Sequence, residues 1–118
     1  MRDTKGFRKL IAWQKSNLLA HFIYDTTAEF PKDELFGLTS QMRRAALSVC
    51  ANIAEGYSRH GLKDRKHFYQ MATASLTELE FFIDFSYERK FINLENYETI
   101  INAQSEAARV LSGLLKST

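Results

Sequence analysis

The stretch from residue 38 to residue 56 constrains the fold most, because it carries a heptad pattern. Its apolar and small residues are spaced alternately four and three apart, at Leu38, Met42, Ala45, Val49, Asn52 and Gly56. This spacing predicts a helix that packs nearly parallel to its neighbours. The seam becomes small at Ala45 and Val49 and ends at Gly56, which indicates close approach of a second helix. Asn52 needs a hydrogen-bonding partner there, since an unpaired buried amide costs roughly 1–3 kcal/mol.

Three further segments have helical periodicity, and Pro31 and Gly61 lie in turns between predicted helices. The predicted helices span residues 7–29, 34–57, 63–90 and 94–116. Pro31 ends the first helix, because the residue before proline is pushed out of helical geometry. Asp33 is predicted to cap the second helix and Asn93 the fourth. Four helices joined by short turns predict an all-α, antiparallel, up-down-up-down four-helix bundle, with residues 1–118 forming one domain.

The composition is typical of a globular protein. Of the 118 residues, 45% are hydrophobic and 25% are charged, and no apolar run approaches the ~20 residues that span a bilayer. The N-terminal residues lack the apolar core of a signal peptide. Cys50 is the one cysteine in the sequence and has no internal disulfide partner. These features predict a reduced, cytoplasmic protein that does not bind membranes.

The predicted topology separates the charges into a basic end and an acidic end. The N-terminus, the second turn and the C-terminus meet at the basic end, where nine basic residues face Asp3, Glu55 and Asp64. The predicted contacts to nucleic acid are Arg8, Lys9, Arg59, Lys63, Arg65 and Lys66. Two other interpretations remain open: solvated charges at helix ends, or a contact with the acidic surface of a protein.

A polar motif is predicted between the second and third helices, formed by Arg44, Asn52, Glu55, Gly56 and Glu78. Antiparallel pairing places Asn52 near Tyr69, and it brings Arg43 and Arg44 to Glu78 or Glu80. Asn52 and Glu55 either form a polar notch for a ligand or an assembly contact, or pair with each other to fix the helix register.

The aromatic residues of the third helix spread around much of its surface, with Phe81, Phe82, Phe85 and Tyr87 close together. A single bundle seam needs fewer, so they predict a second buried face.

Catalytic and metal-binding patterns are missing from the sequence. No Glu has a His three residues later, whereas the di-metal sites of four-helix bundles require such Glu-x-x-His pairs. Cys50 lacks an evident base, and Arg59 and His67 are too far apart for a typical helical ribonuclease. We therefore expect no catalytic residue, no metal, no cofactor and no enzymatic activity.

Several short motifs resemble one bacterial family across nearly the whole chain. They are Leu10-x-x-Trp13, Phe30-Pro31-x-x-Glu34-x-x-Gly37-Leu38, Ser40-Gln41-x-x-Arg44-Ala45-Ala46, Ala51-Asn52-Ile53-Ala54-Glu55-Gly56 and Ser75-Leu76-x-Glu78-Leu79. The family comprises the four-helix bundle proteins encoded by intervening sequences within 23S ribosomal RNA genes, also called the S23 ribosomal-protein family. The accessory protein of diversity-generating retroelements is similar to it.

This resemblance implies an antiparallel bundle that assembles into a ring-like homopentamer. It also implies association with RNA, such as structured or ribosomal RNA, and it supplies no catalytic residues. The hypothesis is thus a non-enzymatic, RNA-associated homo-oligomer. The alternative is a protein-interaction scaffold, including a reverse-transcriptase accessory role, that makes no direct RNA contact.

Overall fold

The computed structural model describes residues 5–118, and most of them are helical. The four helices are α1 (Ile11–Thr27), α2 (Leu38–Ser58), α3 (Leu62–Glu88) and α4 (Leu94–Lys116). Short 3₁₀ turns, Gly6–Lys9 and Lys32–Glu34, precede α1 and α2, and residues 5–118 contain no strand. The predicted all-α four-helix fold is therefore confirmed.

Each helix packs against two others, so that the four form a closed square. Helix α1 contacts α2 and α4, and α3 contacts the same two helices from the opposite corner. Neighbours run antiparallel: Arg44 of α2 contacts Glu78 of α3, whereas Ser48, one turn later in α2, contacts Ser75, earlier in α3. The most extensive interface joins α2 and α3.

One core runs through the bundle and takes side chains from every helix. The largest fully buried residues are Leu19, Ile23, Met42, Ile53, Tyr69, Leu76, Leu79, Ile83, Ile100 and Leu111. Helix α2 also contributes Ala45, Ala46 and Val49, which are 1% exposed or less. These small side chains let the neighbouring helices approach α2 closely, as the heptad pattern predicted.

Two helix starts differ from the prediction. Helix α1 starts at Ile11 and not at residue 7, because Leu10 is extended and separates the helix from the 3₁₀ turn before it. Asp33 was predicted to cap α2, and this is wrong, because Asp33 lies inside the Lys32–Glu34 turn. The N-cap is Gly37 instead, and the carboxylate of Glu34 accepts a hydrogen bond from the N–H of Leu38 at 3.3 Å.

The turn between α3 and α4 follows the Schellman pattern. The Phe91 N–H donates to the Ser86 carbonyl, and the Lys90 N–H donates to the Tyr87 carbonyl, each at 2.9 Å. Lys90 has a left-handed φ of 65°, which ends α3 at Glu88 and not at residue 90. Asn93 caps α4 as predicted, since its side chain accepts from the Asn96 N–H at 2.8 Å.

Candidate nucleic-acid interface

The basic end forms because the antiparallel topology collects four segment ends in one place. They are the turn before α1, the C-terminus of α2, the N-terminus of α3 and the C-terminus of α4. The Lys9 ammonium lies 5.5 Å from the centre of the Tyr57 ring, and this contact joins the turn before α1 to the C-terminus of α2. In the described chain this end holds eight basic residues and two acidic ones, Glu55 and Asp64. Arg2 and Asp3 lie outside the described residues.

Arg59 belongs to this end, but carboxylates already surround its charge. Its guanidinium lies 2.9 Å from Glu55 and 3.9 Å from Asp64, and it stacks over the Phe68 ring at 4.7 Å. Both carboxylates are partly exposed, so these ion pairs exchange with solvent at little cost. A phosphate could replace these carboxylates, but it would gain less binding free energy here than at a cation without a carboxylate partner.

Arg65 stabilises the end of α2. Its Nε donates to the Arg59 carbonyl at 2.7 Å, and its Nη2 donates to the Tyr57 carbonyl at 3.1 Å. The last carbonyls of a helix lack partners within the helix, and a guanidinium satisfies them well. The sequence pattern did not reveal this role, because Arg65 lies six and eight residues beyond its partners, across a turn.

The two predicted contacts before α1 also lie over aromatic rings. The Arg8 guanidinium is 4.6 Å from the centre of the Phe7 ring, whose other neighbour is Trp13 at 5.1 Å. Lys9 is exposed apart from its position over Tyr57. Cation–π contacts of this kind hold the side chains in place and leave their charge uncompensated.

Lys63 and Lys66 are the most available of the predicted contacts. Both are exposed on the first turns of α3, and in residues 5–118 neither forms an ion pair with a carboxylate. Together with Leu62, His67 and Gln70 they line a shallow depression of about 480 Å³. Two ammonium groups one turn apart can contact successive phosphates of a polyanion.

The polar motif between α2 and α3 divides into separate contacts. Arg44 pairs with Glu78 as predicted and also donates to Gln41. Arg43 does not reach Glu78 or Glu80, which corrects the prediction for that residue. It turns to α1, where its guanidinium donates to the Thr27 hydroxyl and the Tyr24 carbonyl.

Asn52 takes part in a polar network inside the helix pair. It donates to the Ser48 carbonyl at 2.9 Å and to the Ser48 hydroxyl at 3.1 Å, and that hydroxyl lies 2.9 Å from the Ser75 hydroxyl. Glu55 points elsewhere, to Arg59. Asn52 and Glu55 therefore do not pair with each other, and the network ties Asn52 to α3 through Ser48.

The described residues offer little for catalysis or metal binding. In residues 5–118, no group of three or more His, Cys, Asp or Glu side chains could hold a metal ion. Burial raises the pKa of the Cys50 thiol to about 11, so it stays protonated and unreactive at neutral pH. None of the helices in the described part of the chain has the length and apolar character needed to cross a membrane.

The fold and the charge distribution define an antiparallel four-helix bundle with a basic end. The sequence model of the 23S rRNA-intervening sequence protein family matches residues 8–113, so the chain belongs to that family. A crystal structure of a protein of unknown function from the S23 ribosomal protein family of Bacteroides thetaiotaomicron is similar, with a TM-score of 0.82 and 23% identity. The match covers 90% of this chain and 96% of that one. A comparison with curated proteins gave no match.

Proposed function

We propose that this protein is a non-enzymatic, cytoplasmic, RNA-associated homo-oligomer that contacts RNA through its basic end. The observation that carries the proposal is the excess of eight basic residues over two acidic ones at that end. A local charge of this size attracts polyanions over several ångströms and speeds their association. The family takes its name from an rRNA sequence, which supports ribosomal or other structured RNA as the partner.

The six predicted contacts do not contribute equally to this proposal. Lys9, Lys63 and Lys66 carry the phosphate contacts, because they are exposed and no carboxylate of residues 5–118 pairs with them. Arg8 adds to the field from its position over Phe7. Arg59 is compensated by carboxylates and Arg65 is committed to α2, so both act mainly by holding the surface together.

Salt dependence of binding tests the phosphate contacts. The wild-type protein should bind a structured rRNA fragment with an affinity that falls steeply as salt rises, by a log–log slope of about 0.9 or less per neutralised phosphate. Lys63→Glu/Lys66→Glu should lower both the affinity and the slope. Lys32→Glu/Lys90→Glu is the matched control, since it makes the same charge change at exposed positions of the opposite end.

The controls also decide between RNA contact and a protein scaffold. If both double variants lost RNA affinity equally, the result would show only an effect of total charge and would contradict the assignment of the basic end as the RNA contact. If the intact oligomer does not bind RNA at low salt, the protein-interaction scaffold becomes the better hypothesis. An apolar protein contact would then be nearly insensitive to salt.

The homo-oligomer is supported by an apolar face on the outside of α2 and α3. We define it by Leu47 and Ala51 of α2 and by Met71, Ala74, Phe81 and Phe85 of α3, all exposed. The α3 residues recur at helical spacing on either side of Glu78. The ion pair between Glu78 and Arg44 joins α3 to α2 within this face, so the exposed residues of the two helices lie side by side. Phe81 is 62% exposed, which is unusual for a phenylalanine in an isolated subunit.

Solution mass tests the assembly. A pentamer should have about five times the 13.6 kDa mass of the chain. Phe81→Glu/Phe85→Glu should dissociate it, because buried charges without partners destabilise an interface. Ile11→Glu/Leu18→Glu is the control, since these α1 residues are also exposed and apolar but lie outside the apolar face. A monomeric wild type in light scattering would contradict the oligomer.

A further inference from the structure

We infer that the basic end binds base-paired RNA through its phosphates and does not stack unpaired bases. The inference rests on the proposed function and specifies the class of RNA. It comes from the position of cations over the aromatic rings of the same end, which the number of charges alone does not reveal.

Each partly buried phenylalanine or tyrosine ring of this end that the structure describes lies under a cation of the same chain. Arg8 lies 4.6 Å from the Phe7 ring centre, and Arg59 lies 4.7 Å from that of Phe68. The Tyr57 ring has both Lys9 and Arg65 at 5.5 Å. Each ring therefore has a face occupied by the protein itself.

Proteins that bind single-stranded nucleic acid usually stack successive bases on free aromatic faces. Two of these residues make a further contact. Phe7 meets Trp13 edge-on at 5.1 Å, and the Cβ of Phe68 packs against Gly56. A base that stacked on the cation-covered face of Tyr57 or Phe68 would have to displace Arg65 or Arg59, and with Arg65 the cap of α2 would be lost.

Two other rings at this end, His60 and His67, are exposed. The His67 ring already meets Phe68 at 5.3 Å in an edge contact, and His60 lies in the turn between α2 and α3. His67 lines the same depression as Lys63 and Lys66, whose ammonium groups are compact point charges that suit phosphates. This arrangement suits a ligand that presents phosphates at high density and keeps its bases inside, as an RNA duplex does.

The test compares two RNA probes of equal phosphate number, a self-complementary hairpin and single-stranded oligouridylate, by fluorescence anisotropy at one salt concentration. We expect the hairpin to bind at least tenfold more tightly. Lys63→Glu/Lys66→Glu should weaken both probes at least tenfold. Tyr57→Leu and His60→Ala/His67→Ala should leave both affinities within twofold, with folding checked by circular dichroism.

Two results would overturn the inference while the proposed function stands. One is oligouridylate that binds as tightly as the hairpin. The other is a tenfold or greater loss of oligouridylate affinity in folded Tyr57→Leu or His60→Ala/His67→Ala, which would reveal stacking. If neither probe binds at low salt, the proposed function itself fails and the inference fails with it.

Discussion

Gly56 of α2 lies directly against the ring of Tyr69 of α3. A Cβ built on the glycine would stand 2.7 Å from Cε1 of the tyrosine and 2.9 Å from its Cδ1. Tyr69 is 1% exposed, so its ring has no free space into which to move. The glycine therefore sets how closely α2 and α3 approach beside the basic end.

Gly56→Ala should lower the free energy of unfolding by roughly 1–3 kcal/mol, the usual cost of overpacking a core. Gly113→Ala is the matched control, because Gly113 is also helical but nothing lies within 4 Å of its Cβ position. The free energy of unfolding of that control should rise by up to about 1 kcal/mol, since alanine has a higher helix propensity than glycine. Urea unfolding measures both, and equal effects would contradict the proposed close approach.

Ser16→Ala should stabilise the protein. The Ser16 side chain is 1% exposed, and its hydroxyl has no hydrogen-bond partner among the described residues. Removing an unsatisfied buried hydroxyl should recover about 1 kcal/mol or more. Ser86→Ala is the comparison, because the equally buried Ser86 hydroxyl donates to the Phe82 carbonyl at 2.7 Å and should bring no gain. Thermal unfolding that ranks Ser86→Ala above Ser16→Ala would contradict this.

Arg65→Ala should destabilise the fold by about 1–3 kcal/mol, because two carbonyls at the end of α2 would lose charge-assisted hydrogen bonds. Lys66→Ala removes the same charge from the next residue, which is exposed, and should change stability by no more than about 0.5 kcal/mol. Guanidinium unfolding of the two variants distinguishes them. Equal stability would show that Arg65 is not a structural residue.

The free energy of unfolding should fall in alkaline solution because Tyr97 loses its proton there. Its hydroxyl donates to Asp84 at 2.7 Å, and this bond to a carboxylate is the main reason that its pKa rises to about 12. Between the ordinary pKa of 10.0 and about 12, the unfolded chain loses this proton while the folded chain keeps it. The stabilisation is thus complete below pH 10 and disappears as the pH approaches 12.

The difference between wild type and Tyr97→Phe isolates this effect from other groups that titrate at high pH. The wild type should be more stable at pH 8, and its advantage should shrink from pH 10 upwards. Free energies of unfolding measured from pH 8 to pH 12 provide the check. An advantage that stays constant over that range would rule out the raised pKa as its cause.

Much of the architecture was predictable because it depends on local pattern. Heptad spacing identified α2, Pro31 separated it from α1, and Asn93 marked the start of α4. The helix starts were less predictable where backbone detail decides them. Gly37, and not Asp33, is the N-cap of α2, because a 3₁₀ turn shifts the start of the helix to Leu38.

The contacts between helices were predicted to within about one turn. Arg44 meets Glu78 as expected. Tyr69, which was predicted to lie near Asn52, packs against Gly56, one turn further along α2. Register along an antiparallel pair depends on how side chains fit together, and spacing within one helix does not specify it.

The sequence by itself determined four helices, their order and the separation of charge between the two ends, since these follow from periodicity, short turns and the position of each charge along the chain. Only the tertiary structure decided which cations are available. In the sequence, Arg59, Arg65 and Lys66 each contribute one positive charge. Packing places the first between two carboxylates, joins the second to the carbonyls of α2 and leaves the third exposed.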